Sequence, residues 1–458
     1  MSIYEAFVIV IYVCSFALFA VVFAQAALQS EFGVFIIFAD LPLALALCVY
    51  PILMASGMID PGIEGVAFLT YNPAPGVTAA FHILLFAFGS FVGFNIPIRG
   101  DVTVGAHKIV QFGRATIHSW RKVQLVGIFI WILFFLLVGW DTAIRLAIFA
   151  RAGEIEGFGE DQRWLFIKTI GTVFVALSAS SVPLHLIDKS RDLLSVALHI
   201  LLVIILYINS YSRNYILLFL IIPIVVHIFS LRGVLPLLVG AGVALAIGVP
   251  VLLYTKSLGY AAASLVSEGV VGEIEGYQQS DSFIETFLRS NEAQWYSVQA
   301  GINQFVATGG PTVPVDLVLA AIFGIVPSRI LSYFGLDYLY YGSLADNSLT
   351  CVNTKQFGMY AQDTACTIPP FWAGFSAYTI PIFGGFIFGF VRFYIWGYLT
   401  KLWVLVKSVE PRSLWVVYFL AIQAWGVFLL VPSQIAVIVF SLVMLHLIRM
   451  ATGSLMRS

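Results

Sequence analysis

Apolar stretches of about twenty residues recur along most of this 458-residue chain. A helix of that length crosses the hydrocarbon core of a bilayer, where every backbone polar group must find its partner within the protein. Hydrophobic residues make up 60% of the chain and charged residues only 10%, a composition far from that of a soluble domain. The sequence predicts an all-α polytopic integral membrane protein with about 11 to 12 transmembrane helices.

A long polar interval, residues 256–375, interrupts this series, and structureless intervals of such length are usually functional. The chain is therefore expected to consist of N-terminal transmembrane helices (residues 1–255), one large partly helical loop (residues 256–375) and C-terminal transmembrane helices (residues 376–458). The predicted spans, about eleven in number, are Ala6–Ala27, Val34–Ser56, Val77–Ile98, Val123–Trp140, Leu165–Leu186, Leu193–Asn209, Tyr215–Phe229, Val234–Tyr254, Tyr378–Leu399, Leu414–Val431 and Ile435–Ile448.

The distribution of charge predicts the orientation. The loop from Arg99 to Lys122 carries several basic residues and a single acid, Asp101. Lys and Arg are enriched in cytoplasmic loops, so we expect this loop to face the cytoplasm. Alternation then places the loop of residues 256–375 on the outer side. The same alternation puts the N-terminus outside, whereas a re-entrant segment before Val77 would put it inside.

Two cysteines, Cys351 and Cys366, lie in the long loop. In an oxidising compartment they are expected to form a disulfide that closes the loop, and the alternative is two unpaired thiols. The sequence contains no CxxC or HExxH pattern for a metal and no GxxxxGK[ST] phosphate-binding loop. We therefore predict neither a metal nor a cofactor.

Within the long loop, residues Ser280 to Thr308 have the periodicity of an amphipathic helix. One face is apolar and is expected to lie on the protein or the membrane surface: Phe283, Phe287, Trp295, Val298, Ile302 and Phe305. The opposite face is polar: Glu285, Arg289, Glu292, Tyr296, Gln299 and Asn303. It is either a solvated surface with Glu–Arg pairs or a wall that binds sugar hydroxyls and phosphate.

Two further arginines lie on the predicted outer side. Arg213 occupies a short turn between two spans, and Arg329 follows the short apolar segment Val315 to Val326. An ionisable side chain at membrane depth is a functional-site hypothesis by default, although Arg213 has the alternative of reaching lipid phosphates. Together with Arg289, these residues favour a lipid-linked anionic substrate, with its phosphates at the interface and its glycan beside the loop.

The stretch from Ile368 to Gly385 combines prolines, aromatic residues and glycines. Glycines allow helices to approach closely, so the pattern predicts a loop that enters a tightly packed helix. Trp372 and Tyr378 are additional candidates for a sugar-binding groove.

Several motifs in residues 210–397 resemble the O-antigen and capsular polysaccharide polymerases of the Wzy type. They are Ser-Arg-Asn-Tyr at Ser212, Phe-Leu-Arg-Ser at Phe287, Ile-Val-Pro-Ser-Arg ending at Arg329, and Ile-Pro-Pro-Phe-Trp-Ala-Gly-Phe-Ser-Ala-Tyr at Ile368 followed by Ile-Phe-Gly-Gly-Phe at Ile382.

This resemblance implies a metal-independent, GT-C-like glycosyltransferase, related to the O-antigen ligases, in the inner membrane of a bacterium. It would join undecaprenyl-pyrophosphate-linked repeat units at the periplasmic face, with the pyrophosphate as leaving group stabilised by Arg213, Arg289 and Arg329. A chain-length regulator and a flippase of the same pathway are the implied partners, and nucleic acid is not.

The resemblance leaves the general base open. The ligases are thought to use a loop histidine, but no histidine occurs between His227 and His446. The carboxylates that remain, usable if partial burial raises the pKa of one of them, are Glu285, Glu292, Asp337 and Asp346.

Two other functions remain open. A flippase or secondary transporter is expected to show internal repeats and charges near the membrane midplane; no repeat is visible, and Asp40 lies well inside a span. A GT-C transferase using a polyprenyl-phosphate sugar is expected to carry paired acids in its first outer loop, for which Asp60 and Glu64 are a poor match.

Overall fold

A computed structural model describes residues 3–56, 58, 73–97, 101–116, 120–139, 165–187, 193–210, 219, 283–310, 333–336, 371–429 and 443. These residues are almost entirely helical and include no β-strand. In chain order the α-helices are α1 (Ile3–Gln29), α2 (Phe32–Ala44), α3 (Tyr50–Ala55), α4 (Pro73–Asn95), α5 (Asp101–Thr116), α6 (Trp120–Val138), α7 (Leu165–Ile187), α8 (Leu193–Ser210), α9 (Phe283–Thr308), α10 (Phe371–Thr379), α11 (Phe383–Val409) and α12 (Leu414–Leu429).

Among the described residues, four helical segments are long and apolar enough to cross a membrane. They are Tyr4–Gln29, Phe32–Met54, Gly76–Asn95 and Trp120–Val138. The chain is thus a helical membrane protein, as its composition predicts. Helices α7, α8 and α12 also begin at the residues where spans were predicted. The predicted spans Tyr215–Phe229, Val234–Tyr254 and Ile435–Ile448 lie outside the described residues, apart from Phe219 and Val443.

The basic segment predicted as a cytoplasmic loop contains a helix, α5. Val102, Ala106 and Val110 recur every four residues along it and are buried, whereas Val104 and Lys108 are exposed. A search for uniformly apolar spans overlooks such a helix, because its apolar face is only one stripe wide.

The described helices form two compact units. The first comprises Met1–Ile98, Asp281–Thr400 and Ala424–Ile435, and so contains α1–α4, α9, α10, most of α11 and the end of α12. The second comprises Arg99–Ser280, Lys401–Gln423 and Ala436–Ser458.

Helices α4 and α11 cross closely within the first unit. Gly89 and Gly93 of α4 face the backbone of Phe386 and Phe390, so a Cβ at either glycine would overlap a carbonyl oxygen of α11. Gly385 and Gly389 of α11 face the backbone of α4 in the same way, at the carbonyls of His82 and Phe86. The contact is reciprocal, and both helices carry the small-xxx-small spacing that lets membrane helices approach backbone to backbone.

The second unit is organised around aromatic packing and a buried polar network. Trp120 and Trp415 meet edge to face at 4.9 Å between ring centroids, and Phe174 and Leu177 of α7 belong to the same core cluster. Gln124, Ser178, Ser195 and His199 are buried beside this core and hydrogen-bonded to one another, with His199 Nε2 2.8 Å from the Phe219 carbonyl oxygen. These bonds connect α6, α7 and α8 without leaving a buried histidine unsatisfied.

Two predicted spans of the first unit depart from a regular α-helix. The span Phe32–Met54 contains Pro42 and a π-helical turn at Leu45–Val49. The span predicted to begin at Tyr378 is wrong as a single helix, because α10 ends at Thr379 and α11 begins at Phe383. Pro381 lies in the break and lacks the N–H that a continuous helix would need there.

Candidate functional site

The helix predicted within the long loop is confirmed as α9, and its second half packs against α10. Gly301 lies against the backbone of Tyr378, so close that a Cβ at this position would be only 2.8 Å from the Tyr378 nitrogen. Gly374 of α10 lies equally close to Ser297 of α9. Glycine on each helix therefore brings the two elements predicted to bind sugar into direct contact, and Ala300 and Tyr378 share one small core cluster.

The polar face of α9 is not a solvated surface in this half of the helix. Tyr296 and Gln299 are each 1% exposed, and Asn303 is half-buried. The Tyr296 hydroxyl lies 3.1 Å from the Tyr50 hydroxyl of α3. Trp295, on the predicted apolar face, donates its indole N–H to the Tyr12 hydroxyl of α1 at 3.0 Å. Helix α9 is therefore enclosed by protein on both faces here, because α10 covers one side and the N-terminal helices cover another.

The first half of α9 carries three of the predicted site residues. The backbone at Glu285, Arg289 and Glu292 is helical, whereas their side chains lie outside the described part of the structure. The remaining predicted phosphate, base and disulfide residues also lie outside the described residues, and their roles stay predictions: Arg213, Arg329, Asp337, Asp346, Cys351 and Cys366.

The two predicted sugar-binding residues of α10 have different surroundings. Tyr378 is fully buried against α9. Trp372, in the first turn, is half-buried and donates its indole N–H to the Phe388 carbonyl oxygen at 2.8 Å. Its ring packs on Phe388 at 4.9 Å and edge-on against Phe428 at 5.3 Å between centroids. Trp372 is the more accessible of the two.

A buried histidine that sequence reasoning did not single out supports the break between α10 and α11. The backbone N–H of Ile382 donates to His82 Nδ1 at 3.0 Å. Ile382 has a φ of +66°, an uncommon conformation for a β-branched residue. Because a backbone amide can only donate, Nδ1 carries no proton, and the proton of the neutral ring is on Nε2.

The tautomer decides what this histidine does. Nε2 lies 2.8 Å from the Ser376 hydroxyl oxygen, and that hydroxyl donates to the Ala373 carbonyl oxygen at 2.6 Å. A histidine that activates a serine must accept the serine proton, whereas Nε2 here is the donor. The His82–Ser376 pair therefore fastens α10 and the connection after it to α4, and does not form a nucleophile with its base.

A buried ion pair joins α2 to α11, and the sequence analysis missed its arginine. Asp40 is fully buried and Arg392 is 4% exposed. Arg392 donates an Nη2–H to one carboxylate oxygen of Asp40, and Trp396 donates its indole N–H to the other. The Arg392 guanidinium also lies over the Phe428 ring, 4.6 Å from its centroid. Within the described residues its Nε–H has no hydrogen-bond partner.

A sequence signal for this pair did exist. Arg392 lies inside a predicted apolar span, as Asp40 does, and opposite charges in two spans predict a pair, because an unpaired charge in hydrocarbon is costly.

Among the residues that the structure describes, no group of three or more His, Cys, Asp or Glu side chains is placed to hold a metal ion.

In comparisons with protein-family models, curated proteins and solved structures, none matches this chain. The resemblance to the polysaccharide polymerases stays a prediction.

Proposed function

We propose that the protein polymerises undecaprenyl-pyrophosphate-linked oligosaccharide repeat units at the periplasmic face of a bacterial inner membrane. The observation that carries the proposal is the placement of α9. This helix bears Arg289 in its first half and packs in its second half against α10, the helix of Trp372 and Tyr378. The proposed phosphate-binding position is thereby connected by one continuous helix to an aromatic, hydroxyl-rich element.

The spacing along α9 supports the same assignment. Positions 289 and 296 are two helical turns apart, roughly 10 Å along the axis, and lie on the same helix face. A pyrophosphate held near position 289 would leave its first sugar close to the contact between α9 and α10. Of the predicted sugar-binding residues, Asn303 and Trp372 are half-buried and retain some exposure, whereas Tyr296, Gln299 and Tyr378 are buried.

The proposed reaction needs no cofactor for its balance. An acceptor hydroxyl oxygen attacks the anomeric carbon of the donor, and the bond from that carbon to the pyrophosphate oxygen breaks. The pyrophosphate leaves with the electron pair, and a carboxylate accepts the hydroxyl proton. Arg213, Arg289 and Arg329 would stabilise the charge that develops on the departing oxygen, a contribution worth about 3–4 kcal/mol for a single well-placed donor.

The direct test uses purified protein in lipid nanodiscs with a lipid-linked repeat unit and no added metal. We expect a ladder of longer products from the wild type. Arg289→Ala is expected to lower the rate by about 10²- to 10³-fold, and Arg289→Lys by less, because Lys keeps the charge but loses the bidentate geometry. Arg412→Ala, at an exposed arginine after α11, is the matched control and is expected to leave the ladder unchanged.

Two results would refute the assignment. One is the absence of any ladder from folded wild-type protein. The other is a full ladder from Arg213→Ala, Arg289→Ala and Arg329→Ala, which would remove these arginines from the reaction.

A lipid-linked oligosaccharide transporter is the second candidate, and a specific observation favours it. Asp40, inside the candidate span Phe32–Met54, forms a buried pair with Arg392, and a π-helical turn follows Asp40 at Leu45–Val49. Charges and interrupted helices near the midplane are typical of secondary transporters. Proteoliposomes with a fluorescent lipid-linked oligosaccharide distinguish the two functions: a transporter moves the substrate across the bilayer unchanged, whereas a polymerase lengthens it.

A further inference from the structure

Asp40 organises two side chains of α11 at once. Its carboxylate accepts one hydrogen bond from Arg392 and one from Trp396. These residues are four apart on the same face of the helix, so the carboxylate fixes both in one orientation.

Both side chains that Asp40 holds contact the same ring, Phe428 near the end of α12. The Arg392 guanidinium lies 4.6 Å from the Phe428 centroid, and Trp396 meets that ring edge to face at 5.5 Å. A desolvated cation over an aromatic face is strongly attracted to it. The position of Phe428 therefore depends on where Asp40 places the guanidinium.

Phe428 in turn contacts Trp372, in the first turn of α10. A continuous series of contacts thus runs from a fully buried carboxylate to an indole that is half-buried. The residue before α11 and the one at the start of α10, Ile382 and Phe371, both have positive φ. Helix α10 is therefore a short element with a positive-φ residue at its start and another in the break that follows it.

We propose that Asp40 and Arg392 are positioning residues for Trp372: the ion pair holds Phe428, and Phe428 holds the indole in the orientation in which it receives a sugar ring. The inference rests on the proposed function, because the sugar is the ligand that function assigns to Trp372. It gives the intramembrane ion pair a role in substrate binding although neither charge touches the substrate.

The competing explanation is that the pair only stabilises the fold. Stability alone is a weak reason for a buried ion pair, because replacing both charges by neutral residues of similar volume is often neutral or stabilising. The two explanations therefore predict different behaviour of Trp372 in the double variant Asp40→Asn/Arg392→Gln. It leaves no buried charge, so it is expected to fold, but it has no cation to place over Phe428.

The experiment measures oxidative labelling of individual indoles by mass spectrometry on full-length protein in nanodiscs. Trp372 is the reporter and Trp295 is the internal reference, because Trp295 is 3% exposed and bonded to Tyr12, outside this series of contacts. The variants are Arg392→Lys and Asp40→Asn/Arg392→Gln. Ser90→Ala, which removes a buried hydroxyl from α4, is the matched control.

We expect labelling of Trp372 to rise severalfold in Arg392→Lys and in the double variant, while labelling of Trp295 stays at the wild-type level in both. Arg392→Lys is informative because Lys keeps the charge but not the flat guanidinium that lies on the ring. In the ladder assay the same variants are expected to raise KM for the repeat unit by roughly three- to tenfold with kcat per folded molecule unchanged. Ser90→Ala is expected to change neither measurement.

Wild-type labelling of Trp372 in the folded double variant overturns the proposal, and so does a parallel rise at Trp295, which would indicate general loosening. A fall in kcat at constant KM overturns the link to sugar binding. The labelling does not depend on activity. A rise at Trp372 in both variants, together with no ladder from the wild type, would therefore refute the proposed function while supporting the positioning of Trp372.

Discussion

The reciprocal glycine contact between α4 and α11 permits a quantitative test of the fold. At Gly89 an added Cβ would overlap the Phe386 carbonyl oxygen and would lie 2.9 Å from its carbonyl carbon. Optimal carbon–carbon contact is about 3.5–4.0 Å, so an alanine requires the two helices to separate by roughly half an ångström or more. The obstacle is backbone, which has no rotamer to change.

Two opposing terms set the expected magnitude for Gly89→Ala. Overpacking of a close contact costs about 1–3 kcal/mol, whereas alanine in place of glycine within a helix is favoured by about 1 kcal/mol. Because the opposing atoms are backbone, we expect the overpacking cost to lie in the upper part of its range, about 2–3 kcal/mol. The net loss is then about 1–2 kcal/mol for Gly89→Ala, and similarly at Gly93, Gly385 and Gly389. The measurement is equilibrium unfolding in mixed micelles by titration with dodecyl sulfate, followed by circular dichroism.

Two glycines serve as controls. A Cβ at Gly397 would come no closer than 3.1 Å to α4, at the Phe94 carbonyl oxygen, so Gly397→Ala is expected to be close to neutral. A Cβ at Gly310 would meet nothing within 4 Å, so Gly310→Ala is expected to change stability by less than about 0.5 kcal/mol.

The double variant Gly89→Ala/Gly385→Ala adds a sharper criterion. Once the first alanine has separated the helices, the second meets less resistance, so the two losses are expected to sum to more than the loss in the double variant. Unchanged or increased stability at Gly89 and Gly385 would refute the close crossing, and strict additivity would refute its being one rigid interface.

Three further outcomes are expected in the same unfolding assay. Asp40→Asn and Arg392→Met are each expected to lower the free energy of unfolding by about 3–5 kcal/mol, because each leaves a buried charge unpaired. The combined variant is expected to recover most of that loss. A combined loss equal to the sum of the two single losses would contradict the pair. His82→Phe removes the acceptor for the Ile382 amide and is expected to cost about 1–3 kcal/mol, with faster hydrogen exchange at that amide as the direct check. His199→Leu breaks the polar network of the second unit and is expected to cost a similar amount; an unaltered unfolding midpoint would contradict its role.

Local sequence patterns were sufficient to predict most of the described helices. Among the described residues the predicted apolar runs are helical, and α7 and α8 begin at the predicted residues. Hydropathy and length suffice for this because they decide whether a helix is buried in lipid. The periodic segment after Ser280 is likewise helical. Helix α5 was overlooked because its apolar stripe is narrow, and the single span predicted from Tyr378 was wrong because hydropathy does not register the break at Pro381.

The predicted sugar-binding face of α9 shows where pattern reasoning reached its limit. Periodicity placed Tyr296 and Gln299 on a polar face, and a polar face is ordinarily solvated. They are buried because Gly301 and Gly374 let α10 approach, and because Tyr50 provides a hydroxyl partner for Tyr296. Neither glycine is near Tyr50 in sequence, so no local window contains the contact.

The sequence alone determined that this chain enters a membrane as helices, since composition and the length of each apolar run decide that residue by residue. It also predicted helix α9, whereas helix α10 lies where a loop entering a packed helix was predicted. The tertiary structure decided which charges and hydroxyls meet. Asp40 and Arg392 are 352 residues apart in sequence. Whether two buried charges pair depends on the distance between them in the folded protein, and the order of residues along the chain does not give that distance.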